Sequence, residues 1–202
     1  MKLVYITPKM NGLRVGASYV PSTNNADTMP ATGGTDGTET QIYDLMVSYE
    51  QKLGDANIEA DIGMWREQGT ADNSIDGRRF GINIGFGAIT IGGSVLNEDA
   101  VDSGQSILAT NPDVEAMDVG ISYQMSPSTS ASLTFMNAKK DNASGTAGED
   151  SVTKLGLGLE HSLGSGIDFV ATIAQVDWED ETTDDANNND GWLAVAGINV
   201  GF

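Results

Sequence analysis

The chain has 202 residues, 39% of them apolar, 25 glycines, no cysteine, and a net charge of −19. No run approaches 18 apolar residues, which excludes a transmembrane helix; without cysteine there are no disulfides, zinc-thiolate sites or thiol nucleophiles. Nucleic acid is excluded as a partner, because neutralising phosphates takes clusters of Lys and Arg that 10 basic residues against 29 acidic ones do not form.

The segment from Lys2 to Thr7 reads as a short strand, stopped by the breaker-rich Pro8-Lys9-Met10-Asn11-Gly12. Leu13 to Val20 alternates: Leu13, Val15, Ala17 and Tyr19 share one parity, while Arg14, Gly16 and Ser18 share the other. A period of two is strand geometry, since successive side chains leave opposite faces. After a polar stretch from Pro21 to Glu39, Tyr43, Leu45, Val47 and Tyr49 alternate with Asp44, Ser48 and Glu50. A short turn at Lys52–Asp55 returns the chain through Ile58, Ala60, Ile62 and Met64, set against Glu59, Asp61, Gly63 and Trp65. Arg66 to Arg78 reads as polar loop. Two strands follow around Gly87-Ala88: Phe80, Ile82, Ile84 and Phe86 against Arg79, Gly81 and Asn83, then Ile89, Ile91 and Val95 against Thr90, Gly92 and Ser94.

Asn97 to Glu115 reads as an acidic loop, after which Met117, Val119, Ile121 and Tyr123 alternate with Asp118, Gly120 and Ser122. The turn at Ser126–Thr129 leads back through Ala131, Leu133 and Phe135, and Lys140 to Ser151 is loop. Leu155, Leu157 and Leu159 oppose Lys154, Gly156, Gly158 and Glu160. Gly164-Ser165-Gly166 turns into Ile167–Trp178, whose parity is ambiguous, and the acidic loop Glu179–Asp190 precedes a last strand, Gly191–Phe202. These are eleven strands whose connections alternate short, long, short, long. Greek-key sandwiches do not keep that order. An all-β, antiparallel, up-and-down transmembrane β-barrel does, with short turns on one side of the membrane and long loops on the other.

The aromatics and acids fit the same architecture. Tyr19, Trp65, Phe80, Trp178 and Trp192 stand beside long loops, and Tyr49, Phe86, Tyr123, Phe169 and Phe202 beside short turns, as two membrane-interface girdles would. Twenty of the 29 acids fall in the long loops as read above. That is either a solvated face or a surface able to hold divalent cations that bridge to lipopolysaccharide or other surface partners. The single histidine, His161, shares a parity with the leucines near a turn and reads as an interface residue. The chain lacks a Gly-x-Ser-x-Gly elbow and an EF-hand spacing, so no catalytic residue, cofactor or dedicated metal site is expected. What remains is the face opposite the apolar stripe. Arg14, Asp44, Glu59, Asp61, Arg79, Asp118, Lys154 and Glu160 all belong to it and are expected to line a pore. So many charges would be prohibitive in a dry core but not in a water-filled lumen, where mixed signs with an acidic excess favour cations weakly. A rival reading is an acidic secreted or surface β-protein that binds divalent cations or adhesive partners.

The run Lys2-Leu-Val-Tyr-Ile-Thr-Pro8…Gly12-Leu-Arg-Val-Gly-Ala-Ser-Tyr19, the repeated strand-turn-strand units and the terminal Gly191–Phe202 strand resemble the general trimeric porins of the Gram-negative outer membrane. The likeness runs over essentially the whole chain, 1–202, as one barrel domain. Such porins have about sixteen strands, a constriction loop and a signal peptide. Met1–Pro8 does not read as a signal peptide, and eleven strands counted back from the last one begin after the constriction loop. The chain therefore looks like the C-terminal portion of such a barrel, and an incomplete barrel is expected unless the other strands are supplied. The resemblance implies passive diffusion of small hydrophilic solutes, a homotrimer, contact with outer-membrane lipid and lipopolysaccharide, and recognition of Phe202 by the barrel-assembly machinery.

Overall fold

The computed structural model describes residues 2–21, 41–68, 74–101, 113–141, 148–180 and 188–201. They form eleven strands: β1 (Leu3–Ile6), β2 (Leu13–Val20), β3 (Gln41–Leu53), β4 (Ala56–Gln68), β5 (Ser74–Phe86), β6 (Ile89–Val101), β7 (Val114–Ser126), β8 (Thr129–Asp141), β9 (Glu149–Gly164), β10 (Ile167–Glu179) and β11 (Asn189–Val200). All lie in one sheet in sequence order, each antiparallel to the next. The tight connections use the backbone freedom of glycine where a two-residue turn needs positive φ, as at Gly54 (φ 63°) and Gly87 (φ 59°). β1 and β11 are the edges of the sheet, and no ladder joins them among the described residues.

The register sorts the side chains. Directly opposed residues share a face. From Tyr19–Tyr43 through Ile62–Phe80, Ile91–Ile121, Leu133–Leu157 and Ile173–Ala194, one face carries the apolar partners across the sheet. Most of its large side chains are exposed, among them Ile84, Ile91, Leu157 and Trp192. The other face carries charge, hydroxyls and glycine. All five buried residues among those described, Gly16, Gly63, Gly77, Gly156 and Ala174, sit on that second face. Crowding of this kind belongs to the concave side of a curved sheet, where side chains converge. Ala174 is the single buried hydrophobic residue among those described, so no second layer covers the apolar face.

The strands run further than the hydropathy alternation suggests. Segments read as loop, Arg66–Arg78 and Asn97–Glu115, instead continue β4 to Gln68, begin β5 at Ser74, extend β6 to Val101 and begin β7 at Val114. Glu67, Asp76, Glu98, Asp99, Glu115, Glu149, Asp150, Glu179 and Asp190 are consequently strand residues, not loop residues. The backbone ladder does not depend on hydropathy; the alternation fades only because the convex-side residues turn polar there. Cross-strand ion pairs hold this upper part together. Arg66 pairs with Asp76 and Arg78 with Asp99 (3.6 Å), and Lys139 binds Glu149. The closing strand is observed over Asn189–Val200, and Phe202 lies outside the described residues.

Candidate functional site

The charged face is built by register. Arg14, Ser48, Asp61, Gly81, Ser94, Asp118, Met136 and Lys154 are successive cross-strand partners from β2 to β9, a single row over the concave surface. One residue pair toward the short turns, Glu59 opposes Glu50 and Asn83. Toward the long-connection side, Arg79 opposes Gly63 and Leu96, and Asp44 opposes Ser18 and Trp65. Glu160 opposes Ser130 and Val170. All eight residues Arg14, Asp44, Glu59, Asp61, Arg79, Asp118, Lys154 and Glu160 thus stand on the concave face. Glu50, Lys52, Asn83, Ser94 and Glu98 stand there with them; the same parity argument in the sequence would have found Glu50, Asn83 and Ser94, whereas Lys52 and Glu98 fall in segments that read there as turn and loop.

Several of these charges are tied to the wall. Arg79 brings Nε (3.0 Å) and Nη2 (2.8 Å) to a single oxygen of Asp61. The Ser94 hydroxyl donates to Asp118, and the Ser18 hydroxyl donates to Asp44 with Lys2 Nζ 4.0 Å away. Lys9 sits 2.9 Å from Glu50, offsetting the repulsion between Glu50 and the directly opposed Glu59. A shallow groove of about 370 Å³ runs along this part of the wall, lined by Glu50, Glu59, Asp61, Asn83, Ser94 and Asp118. The small residues matter to its shape. A Cβ on Gly77 would fall inside the Trp65 indole, one on Gly92 would overlap the Asn83 carboxamide, and one on Gly63 would press on Arg79 Cγ at 3.3 Å. Glycine lets the neighbouring side chain lie flat along the wall instead of standing out from it. Among the described residues no group of three or more His, Asp or Glu is arranged to hold a metal ion.

The aromatics divide unevenly. Tyr19, Tyr49, Phe80, Phe86, Tyr123, Phe169 and Trp192 are on the convex, apolar face. Tyr49, Phe86, Tyr123 and Phe169 stand toward the short turns. Tyr19, which stacks on Tyr43 with ring centroids 4.9 Å apart, and Trp192 stand at the other edge of the apolar band. Phe80 is mid-strand in β5, yet it is the last apolar residue before the polar convex-face pair Arg78 and Asp76. Trp65 and Trp178 are corrections to the girdle expectation. Trp65 opposes Asp44 and Gly77, and Trp178 opposes Val152 and Asn189, so both share the charged face. Their positions near strand ends suggested a girdle, but parity decides the face. Register also settles β10: Phe169, Ala171 and Ile173 are convex, Val170, Thr172 and Ala174 concave. His161 is on the convex face beside Phe169, its Nδ1 2.8 Å from the Thr129 hydroxyl.

A family profile described as Gram-negative porin matches residues 1–181. Among solved structures, the chain is similar to a loop-deletion mutant of OmpT, an outer membrane protein of Vibrio cholerae, with TM-score 0.64 and 18% identity over 98% of this chain and 62% of that one. It is also similar to OccAB2 of Acinetobacter baumannii, with TM-score 0.65 and 12% identity over 98% and 53%. A third likeness is to an anion-selective porin from Comamonas acidovorans, with TM-score 0.63 and 14% identity over 98% and 57%. No curated protein sequence matches. The chain spans 62% or less of the length of these three structures. The profile covers nearly the whole sequence, and the fold shared with these proteins is the up-and-down sheet described above. The chain therefore belongs to the Gram-negative porins, β-barrel proteins of the bacterial outer membrane.

Proposed function

We propose that this chain forms the wall of a passive diffusion channel for small hydrophilic solutes and ions, with Arg14, Asp44, Glu59, Asp61, Arg79, Asp118, Lys154 and Glu160 bordering its water-filled lumen. The observation that carries this reading is the sorting of the eleven strands into a charged concave face and an exposed apolar convex face. A sheet with that much bare Leu, Ile and Phe on one side must meet lipid or another apolar surface, which disfavours an acidic secreted β-protein. Acids outnumber bases on the concave face, so the lumen prefers cations weakly. Its chemistry is passage without catalysis or cofactor. Convex aromatics of both rows, with Phe202 beyond the described residues, hold the wall at the two lipid interfaces. Phe202 also serves as the address for barrel assembly. The polar upper belt, with the acidic segments between strands, meets lipopolysaccharide and the divalent cations bound to it. In the assembled state the sheet is one part of a larger barrel whose edges β1 and β11 are closed by further strands, and the barrels associate as homotrimers.

Because the chain has no cysteine, single thiols test this directly. In proteoliposomes, Ser48→Cys and Ser94→Cys are expected to react with a charged, membrane-impermeant methanethiosulfonate. Val47→Cys and Val95→Cys, their convex neighbours, are expected to be protected. Equal reactivity at the four positions would overturn the assignment of faces to water and lipid.

A further inference from the structure

Trp65, like Trp178 on the same face, is a side chain that the channel reading leaves unexplained. An indole on the charged side of a porin wall costs apolar exposure to water, and a structural role would have it packed in a core, which this sheet lacks. Instead the ring is laid against the backbone. The space beyond Cα of Gly77 is occupied by the fused edge of the indole, its Cδ2, Cε2 and Cζ2 atoms. Any larger residue at 77 would force the ring off the wall. The ring therefore rests on β5, and Trp65 is part-buried, with the remainder of its surface accessible.

The row that holds this ring is Ser18, Asp44, Trp65, Gly77 and Glu98, successive cross-strand partners from β2 to β6. A carboxylate thus stands on each side of the indole: Asp44 on the adjacent strand, and Glu98 one strand beyond the glycine over which the ring lies. At ~4.8 Å between strands the two acids are roughly 14 Å apart at the backbone; the Asp44 carboxylate is turned away from the ring toward Ser18 and Lys2, whereas Glu98 is the direct cross-strand partner of Gly77, over which the ring lies. Asp44 is fixed by the Ser18 hydroxyl and has Lys2 4.0 Å away, while 41% of its side chain is exposed. No ion pair holds Glu98 among the described residues. The nearest guanidinium on this face, that of Arg79, is turned to Asp61 and does not occupy the indole.

We infer that Trp65, with Glu98, forms a docking station for small organic cations, ammonium or guanidinium compounds, on the long-connection side of the lumen wall. A cation over an indole face is drawn by the ring quadrupole, and here it also lies beside the Glu98 carboxylate. Gly77 is the positioning residue: it makes no contact with the solute but holds the ring flat, so that the station binds without obstructing the passage. The inference rests on the channel reading for its setting, because the concave face must be wet for a solute to reach it.

The test uses the full chain with Trp178→Phe and Trp192→Phe, which leaves Trp65 as the only tryptophan. Its emission is titrated in detergent and in proteoliposomes with phenyltrimethylammonium, with benzoate and sodium chloride at matched ionic strength as controls. A saturable change with the ammonium probe alone is expected. Glu98→Gln, which adds no bulk, is expected to weaken the probe about fivefold, the order of a single charge–cation or cation–π contact. Gly77→Val is expected to abolish saturation while far-UV circular dichroism stays that of the parent. A linear, collisional response, equal response to benzoate, or unchanged binding in Glu98→Gln would each overturn the station. The thiol labelling at Ser48 and Ser94 separates the two claims: labelled concave thiols without saturable binding reject the station alone, whereas protected concave thiols reject the channel wall whatever the probe does.

Discussion

At the scale of single residues, the concave face is governed by pairs of one large and one absent side chain. Arg79 lies over Gly63, Trp65 over Gly77 and Asn83 beside Gly92. On the inside of a curve there is less room per residue than on the outside, so bulk on one strand requires its absence on the next. This is why glycines at 63, 77, 81, 85 and 92 fall on the charged parity rather than among the leucines. The Arg79–Asp61 pair is half exposed on the Arg79 side, with 50% of that side chain in solvent, so its contribution to stability is small. Its electrostatic influence is larger. Arg79→Ala is expected to change unfolding free energy by under ~1 kcal/mol. At Ser94→Cys, one cross-strand diagonal away, it is expected to raise the ratio of labelling rates for cationic over anionic methanethiosulfonates about threefold, from loss of one screened unit charge. An unchanged ratio would mean that Arg79 does not set the potential at the wall.

At the scale of strands, each long element has two segments on its convex side. The lower one is apolar, Phe80 to Phe86 in β5 and Trp192 to Val200 in β11. Eight steps in β11 at ~3.3 Å and a tilt near 40° give roughly 20 Å of height, close to the apolar band of an outer-membrane barrel. The upper segment is polar and closed by cross-strand pairs such as Arg66–Asp76. The two segments should respond oppositely to charge. Ile84→Arg, in the middle of the apolar segment of β5 and 44% exposed, is expected to cost about 2–4 kcal/mol when unfolding is followed from lipid vesicles. Arg66→Gln, above the band, is expected to cost less than ~1 kcal/mol under the same conditions. Equal costs would mean that the convex face does not meet hydrocarbon. The sequence announces the lower segment clearly, because there apolar and polar side chains alternate. It hides the upper one, where both faces are polar and only the backbone ladder reveals the strand.

At the scale of the whole sheet, the decisive feature is its two edges. β1 offers four residues and β11 twelve, and neither pairs with the other. Unpaired backbone groups cannot remain in hydrocarbon, so a conducting pore requires both edges to be paired, and in the channel proposed above further strands pair them. Purified by itself and added to planar bilayers, this chain is expected to give no steady unit conductance; a single stable step size would show that β1 and β11 meet. Much of this was legible in the sequence. The eleven strands, their antiparallel order and the apolar and charged parities follow from period-two alternation broken by glycine- and proline-rich turns, all of it local. The parity of β4 already sets Trp65 beside Glu59 and Asp61. Other features required the assembled sheet: how far β4 to β7 extend past the apolar band, the face of Trp178 in a strand apolar on both sides, the indole resting on Gly77, and the open edges. These depend on which residues oppose one another across strands; a tight turn fixes that register locally, but a long connection or a register shift such as that at Ile167–Asp168 does not, and there only the paired backbone decides it.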